Sequence, residues 1–351
     1  MPALADTATD ALLATTAPQA TEDDARRIAA DAFGVAAEVR ALTSERDRNF
    51  HLRAGDGREF VLKITNAAED PDVSNLQTMA LRHLAAHDPT LPVSRVCPAL
   101  DGQFEIMTQL ADGSRHLVRL LTFLPGEPQY RTRSSLVQAV KLGRTLAAIG
   151  LALQDFRHKA ESHELLWDLN RASRLLRLLP FIEGERCRTL AIAALDRYEQ
   201  HVRPRQAGLR AQVVHNDFNP HNVLVDPADP GRVTGVLDFG DMVETPLVHD
   251  VAVAASYQVE GEDWLERTTA FVASYHSLYP LLPEEVDSLF DLITLRHVMT
   301  VAITSWRASL YPDNKAYILR NQPRAAAALE ILDRLGRDRG RARLRQACNV
   351  E

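Results

Sequence analysis

The chain has 351 residues, 46% hydrophobic and 25% charged, with Gly and Pro at ordinary levels, which excludes a disordered chain, a collagen-like fibre and a single small domain. Forty basic against 47 acidic residues leave a net charge of −7, which excludes a protein whose main partner is nucleic acid, because phosphate binding needs a basic footprint. Three widely separated cysteines, Cys97, Cys187 and Cys348, exclude a disulfide framework and point to a reducing compartment.

Residues 1–20, rich in Ala and Thr, read as a flexible tail without the basic start of a secretory signal. No apolar run is long enough to span a bilayer, so a cytoplasmic protein with no membrane partner is expected. Thr21 three residues before Asp24 starts a helix, and Gly34 stops it after Phe33. Residues 35–42, 49–53 and 59–65 alternate or are β-branched, and Gly55-Asp56-Gly57 is a tight turn between the last two. A helix over 73–87 follows Pro71 and Asp72, and strands over 103–109 and 116–123 complete a five-stranded antiparallel sheet. The breaker-rich run Leu124-Pro125-Gly126-Glu127-Pro128 marks a boundary. The expected organisation is a β lobe over 21–124, a linker over 125–128, a larger lobe over 129–340 and a tail over 341–351. The larger lobe reads as helices over 134–156, 183–202, 247–258, 263–278, 284–309 and 314–335. Short β-prone runs interrupt them between Ala211 and Asp241, so the fold class is α+β. The Arg-rich stretch 334–345 is either a solvated helix end or an anion contact.

The segment from His215 to Asn222 has the spacing HxDxxxxN, and Asp238-Phe239-Gly240 begins 21 residues after Asp217. Two carboxylates and an amide on adjacent turns suit phosphoryl transfer, which needs a carboxylate near the acceptor hydroxyl and oxygen ligands for Mg²⁺ on the nucleotide phosphates. Val61-Leu62-Lys63 ends the third strand, where a kinase keeps its phosphate-pairing lysine. Neither HxxxH nor HExxH spacing is read among the remaining histidines, so a histidine-bound metal centre is not expected.

These segments, above all VVHNDFNPHNVLVD and GVLDFGDM, resemble the aminoglycoside phosphotransferase and choline kinase-like family over about residues 22–335. The resemblance implies a two-lobed protein-kinase-like fold, with a five-stranded sheet and a helix in the N-terminal lobe and a larger, mainly helical C-terminal lobe. It implies Asp217 as catalytic base, Asn222 and Asp238 as Mg²⁺ ligands, Lys63 on the nucleotide phosphates and His215 as a brace. Leu121, Phe123 and Leu124 would lie in the hinge against the purine. The run from Leu117 to Gly126, with Trp167-Asp168-Leu169, is similar to the hydroxylysine kinases of that family, which implies 5-hydroxy-L-lysine as acceptor and GTP, or otherwise ATP, as donor.

The sequence departs from that pattern in two places. No GxGxxG loop is present, so Ser44–Asn49 would cover the phosphates, with Arg46, Arg48 and Asn49 nearby. The helix after Lys63 offers Asn75 and Gln77 where a Glu is expected to hold the lysine. A hydroxylated amine or amino acid needs charged recognition. Arg296 and Arg307, eleven residues apart on one helix, are candidates for its carboxylate, Trp306 for a cation-π wall, and Asp241 and Glu244 for its ammonium. Asp250 is expected to brace the catalytic segment. Competing readings are an aminoglycoside, homoserine or choline/ethanolamine kinase, or a catalytically silent nucleotide-binding module, acting as a monomer or homodimer.

Overall fold

A computed structural model describes residues 15, 17–44 and 46–350. Most of the expected tail, residues 1–14 and 16, lies outside the described residues, as does Glu45 of the first hairpin turn. Helix α1 (Glu22–Phe33) begins with a capping box: the Asp24 amide donates to the Thr21 hydroxyl and the Thr21 amide donates to the Asp24 carboxylate. Such a cap is worth about 1 kcal/mol. Ala20, assigned above to the tail, is instead buried beside this helix in the smaller core.

Strands β1 (Ala37–Leu42), β2 (Arg48–Ala54) and β3 (Glu59–Ile64) form a meander. Helix α2 (Pro71–His87) follows, then β4 (Val96–Cys97), β5 (Ile106–Gln109) and β6 (Arg115–Thr122). The sheet order is β1-β2-β3-β6-β4, with β5 also on β6 and every pair antiparallel. It has six strands rather than five, because the two residues of β4 also pair with β6. Alternation puts Phe50, Leu52, Phe60, Leu62 and Leu120 on one face, in a core closed by Ile28 and Phe33 of α1. The cross-strand partners Asn49, Lys63 and Arg119 form a polar row on the opposite face. Leu76, Ala80, Leu81 and Leu84 of α2 join the larger core, so the packing boundary does not fall at residue 124.

Chain crosses from β6 to β7 (Glu127–Pro128), which pairs with β9 (Val223–Val225) of the second lobe. Gly126 makes this crossing at φ 142, where a Cβ would collide with Thr234 Oγ1. Next come α3 (Leu136–Ala152), α4 (Glu185–Arg197) and the strands β8 (Ala211–Val214), β10 (Val233–Val236) and β11 (Val243–Pro246). β9 pairs with β10 and β8 with β11, both antiparallel. The helices α5 (Leu247–Ser256), α6 (Trp264–Leu278), α7 (Pro283–Leu310), α8 (Lys315–Ile318), α9 (Gln322–Leu335) and α10 (Arg337–Ala347) complete the lobe.

The helix expected over 314–335 breaks at Leu319–Asn321, a single 3₁₀ turn ahead of Pro323 in the first turn of α9. The expected tail over 341–351 is helical through Ala347. Gly340 lies against Phe290 with no room for a Cβ, and Leu344 is buried. The Arg-rich stretch is part solvated and part paired: Arg334, Arg339 and Arg343 are exposed, while Arg337 meets Asp291 and Arg341 and Arg345 meet Asp287, both acids on α7. No helix among the described residues is long and apolar enough to cross a membrane.

Candidate active site

The loop between β8 and β9 turns at Asn216, whose φ of 62 is left-handed, a conformation Asn tolerates better than most side chains. His215 is fully buried. Its Nε2–H donates to the Leu237 carbonyl at 2.9 Å and its Nδ1 accepts from the Asp217 amide at 3.2 Å. Those partners fix the neutral tautomer, and burial lowers its pKa. From α5, Asp250 Oδ1 accepts from the Asn216 amide at 2.8 Å, so the loop is tied to elements on both sides.

Burial pushes the Asp250 carboxyl up to about 7, against backbone hydrogen bonds that favour its ionised form. Its folded value thus lies above the ordinary 3.8, and as pH rises the unfolded chain loses this proton first. The group therefore subtracts stability progressively between about pH 4 and 7, and the loss is complete above that window. Asp250→Asn cannot ionise and keeps an oxygen for the Asn216 amide. Between pH 4 and 7 its unfolding free energy should gain on wild type by on the order of 4 kcal/mol. Denaturant melts at both pH values measure this, and a constant difference between the two proteins refutes it.

Asp217 Oδ2 accepts from Asn219 Nδ2 at 2.8 Å and Asn222 Nδ2 at 2.7 Å, and Oδ1 accepts from Arg296 Nη2 at 3.3 Å. Burial, reinforced by the charge of Asp241, raises its pKa, and Arg296 opposes the rise. The HxDxxxxN spacing thus puts Asp217 and Asn222 in side-chain contact.

Asp238 follows β10 at a left-handed φ of 55, with Oδ1 accepting from the Gly240 amide at 3.2 Å. Burial would raise its pKa, but Lys63 and Arg46 outweigh it and hold the carboxyl below its usual range. Lys63 Nζ lies 3.0 Å from Asp47 Oδ2 in the first hairpin turn, and Asp47 Oδ1 accepts from the Asn66 amide. The lysine is therefore held by a carboxylate after all, supplied by the turn and not by the helix. Asn75 instead contacts Glu105 and His158, and Gln77 accepts from the buried Arg119. The buried Asn49 Oδ1, across from Lys63, has no partner among the described residues.

Asp217, Asn222 and Asp238 line one cavity of about 290 Å³. Arg46 lines it too, 3.2 Å from Asp241 Oδ1. Arg48 does not: its Nε donates to the Ala20 carbonyl and its guanidinium lies over Phe50. Four arginines also line the cavity, Arg296, Arg307, Arg320 and Arg324, of which Arg324 pairs with Glu260 at 2.7 Å. His297 is buried beside them, where burial first and the charges of Arg324 and Arg296 next lower its pKa to about 3, so it stays neutral. The expected aromatic wall is corrected. Trp306 is core, 5% exposed, while Trp167 lies under Arg296 with its ring 5.0 Å from the guanidinium. Glu244 also leaves the candidate set, because its carboxylate accepts from Ser162 Oγ at 2.7 Å and it does not line the cavity. Leu121, Phe123 and Leu124 run along the crossing between lobes, where Phe123 packs on His51 at 4.4 Å and Leu124 lies against Gly235.

Sequence reading missed Asp47, Trp167, Tyr257, Arg320 and Arg324. Trp167 had a signal in the WDL segment and Asp47 in the turn Ser44–Asn49, whereas Tyr257, Arg320 and Arg324 sit at unremarkable positions. It also missed a histidine pair: His83 and His87 do stand at HxxxH spacing on α2, and with Asp155 they hold ligand atoms within 4.8 Å of one another. That group is at the surface and none of its members lines the cavity.

With this geometry in hand, relatives can be placed. The phosphotransferase enzyme family matches residues 38–285. A hydroxylysine kinase of Danio rerio is 28% identical over 319 residues, which covers 87% of this chain and 89% of that one. The microcompartment-associated aminopropanol kinase superposes with a TM-score of 0.69 at 21% identity, covering 90% of this chain and 98% of that one. Amicoumacin kinase in complex with AMP-PNP, Ca²⁺ and Ami superposes with a TM-score of 0.65 at 16% identity, covering 88% and 94%. Both structures share the kinase-like α+β fold. The chain belongs to the phosphotransferase enzyme family and is a phosphotransferase with an alcohol group as acceptor.

Proposed function

We propose that the enzyme transfers the γ-phosphoryl group of GTP or ATP to the side-chain hydroxyl of a hydroxylated amino acid, 5-hydroxy-L-lysine. The observation that carries this reading is the charge of the cavity lining, which sets two groups beside Asp217: one end with Asp238, Asp241 and Arg46, and a second with Arg296, which reaches Asp217, and the further arginines Arg307, Arg320 and Arg324. A nucleotide with its metal suits the first end and a carboxylate suits the second. Choline, ethanolamine and aminoglycosides bring cations but no carboxylate to offer these arginines.

In this reading residues 21–124 form the nucleotide lobe, and Leu121, Phe123 and Leu124 meet the base. Lys63 and Arg46 take the phosphates, and Asp217 accepts the acceptor's hydroxyl proton as its oxygen attacks the γ-phosphorus. Asn222 and Asp238 suit Mg²⁺. Asn222 turns its Nδ2 to Asp217, which leaves Oδ1 for a cation, and the lowered pKa of Asp238 keeps it ionised. When bound, the metal neutralises charge on the phosphates. His215 and Asp250 hold the loop.

The test is nucleotide consumption with Mg²⁺ across 5-hydroxy-L-lysine, homoserine, ethanolamine, choline and an aminoglycoside. The expected result is the highest kcat/KM for hydroxylysine. Faster turnover of an acceptor without a carboxylate, or no turnover of any, overturns the proposal.

A further inference from the structure

Arg296 is buried on α7, only 4% exposed, yet its guanidinium is poorly satisfied. Nη2 reaches Asp217 Oδ1 at 3.3 Å and the Tyr257 hydroxyl at 3.5 Å, Nη1 reaches only the Met299 sulfur at 3.8 Å, and Nε has no partner among the described residues. A well-made ion pair between guanidinium and carboxylate is bidentate with N···O distances of about 2.7–2.9 Å. This contact is single and long, so a carboxylate able to face the whole fork would compete with it favourably. Trp167 supports the guanidinium from one side, a platform on which a planar group can turn without losing its stacking contact. Thr300, Thr304 and Arg307 continue the same cavity-lining stripe along α7.

Both Asp217 oxygens are engaged: two short amide contacts hold Oδ2, and Arg296 holds Oδ1. A hydroxyl proton must go to one of them, and Oδ1 carries the weaker contact. Building on the acceptor class given above, we propose that Arg296 is an acceptor-sensing residue: it occupies Asp217 Oδ1 until the acceptor's own carboxylate draws the guanidinium away. With Oδ1 released, the acceptor oxygen attacks the γ-phosphorus, the bond to the β,γ-bridging oxygen breaks, and the hydroxyl proton passes to Oδ1. The nucleoside diphosphate leaves. Water brings no carboxylate, so without the acceptor the same oxygen stays occupied and phosphoryl transfer to water is suppressed.

The experiment compares wild type, Arg296→Gln and Arg296→Lys in the full chain with Mg²⁺ and GTP or ATP. It reads nucleotide hydrolysis without acceptor, and kcat/KM for 5-hydroxy-L-lysine and for its carboxamide, which lacks the negative charge. Wild type should prefer the acid over the amide by about 100-fold, the upper scale of a hydrogen bond to a charged group, because the amide keeps the shape but not the charge. Arg296→Gln should bring that preference within about threefold and raise acceptor-free hydrolysis several-fold over wild type. Arg296→Lys, which keeps the charge but not the fork, should fall between. Equal loss on acid and amide with no rise in hydrolysis overturns the inference and leaves Arg296 a structural or phosphate contact. If wild type uses the acid and the amide equally, the sensing role fails while the kinase reading stands; if it uses no carboxylated acceptor, both fail. Nucleotide affinity and thermal unfolding of the two variants show whether a loss reflects misfolding, and the rise in hydrolysis cannot arise from misfolding at all.

Discussion

Asp217→Asn is expected to lower kcat by about 10²- to 10⁴-fold, the range that general-base catalysis supplies, while nucleotide affinity stays near wild type. The substitution keeps shape and preserves an oxygen for Asn219 and Asn222, which donate to Oδ2 at 2.8 and 2.7 Å. What it removes is the oxygen that can take a proton, and it turns an amide N–H₂ toward Arg296, where a carboxylate stood 3.3 Å away. Lys63, Asp47, Arg46 and Asp238, proposed above for the nucleotide, are untouched. Steady-state phosphoryl transfer alongside a nucleotide titration checks both halves. A kcat within a few-fold of wild type removes Asp217 from the role of base.

Asp238→Asn should behave differently, losing turnover and Mg²⁺-dependent nucleotide binding together, with affinity down at least about tenfold in the presence of the metal. The backbone sits at a left-handed φ of 55, which Asn adopts as readily as Asp, so the turn survives. The charge does not survive, and Lys63 and Arg46, whose electrostatic pull keeps this carboxyl ionised, lose their common counter-ion on this side of the cavity. Binding titrations with and without Mg²⁺ separate the outcomes. If the metal still strengthens nucleotide binding by the wild-type factor, Asp238 does not hold it. The contrast between the two variants, one impaired in chemistry and the other in binding, divides the cavity into an acceptor side and a nucleotide side.

Local chemistry was readable where the chain itself brings the groups together. HxDxxxxN closes on itself within eight residues, so Asp217 and Asn222 had to meet once the loop turned. The strand carrying Lys63 and the capping box of α1 follow from alternation and from Thr21 and Asp24 in the same way. Partners from distant segments were not readable. Lys63 was expected to face an amide of α2, because the usual carboxylate is missing there, whereas Asp47 reaches it from a turn sixteen positions upstream. Trp306 looked like the aromatic wall, but helical phase turns it into the core and Trp167, from a segment before α4, fills that place. The arginines of 334–345 gave no hint of their acids, since Asp287 and Asp291 lie some fifty residues earlier on a different helix.

By itself the sequence determined the reaction class and the two-lobed α+β architecture, because periodicity, turn chemistry, the short spacing of Asp217 and Asn222, and the following Asp238-Phe239-Gly240 turn are written in short local patterns. Only the tertiary structure decided which acid holds Lys63, which aromatic supports Arg296, and that four arginines share a cavity with Asp217. The first depends on how the turn between β1 and β2 folds over β3, and the others on how α7 and α9 sit around the β8–β9 loop. Which side chains share a cavity is set by how long-range apolar burial orients whole helices, and no local pattern in the chain records that angle.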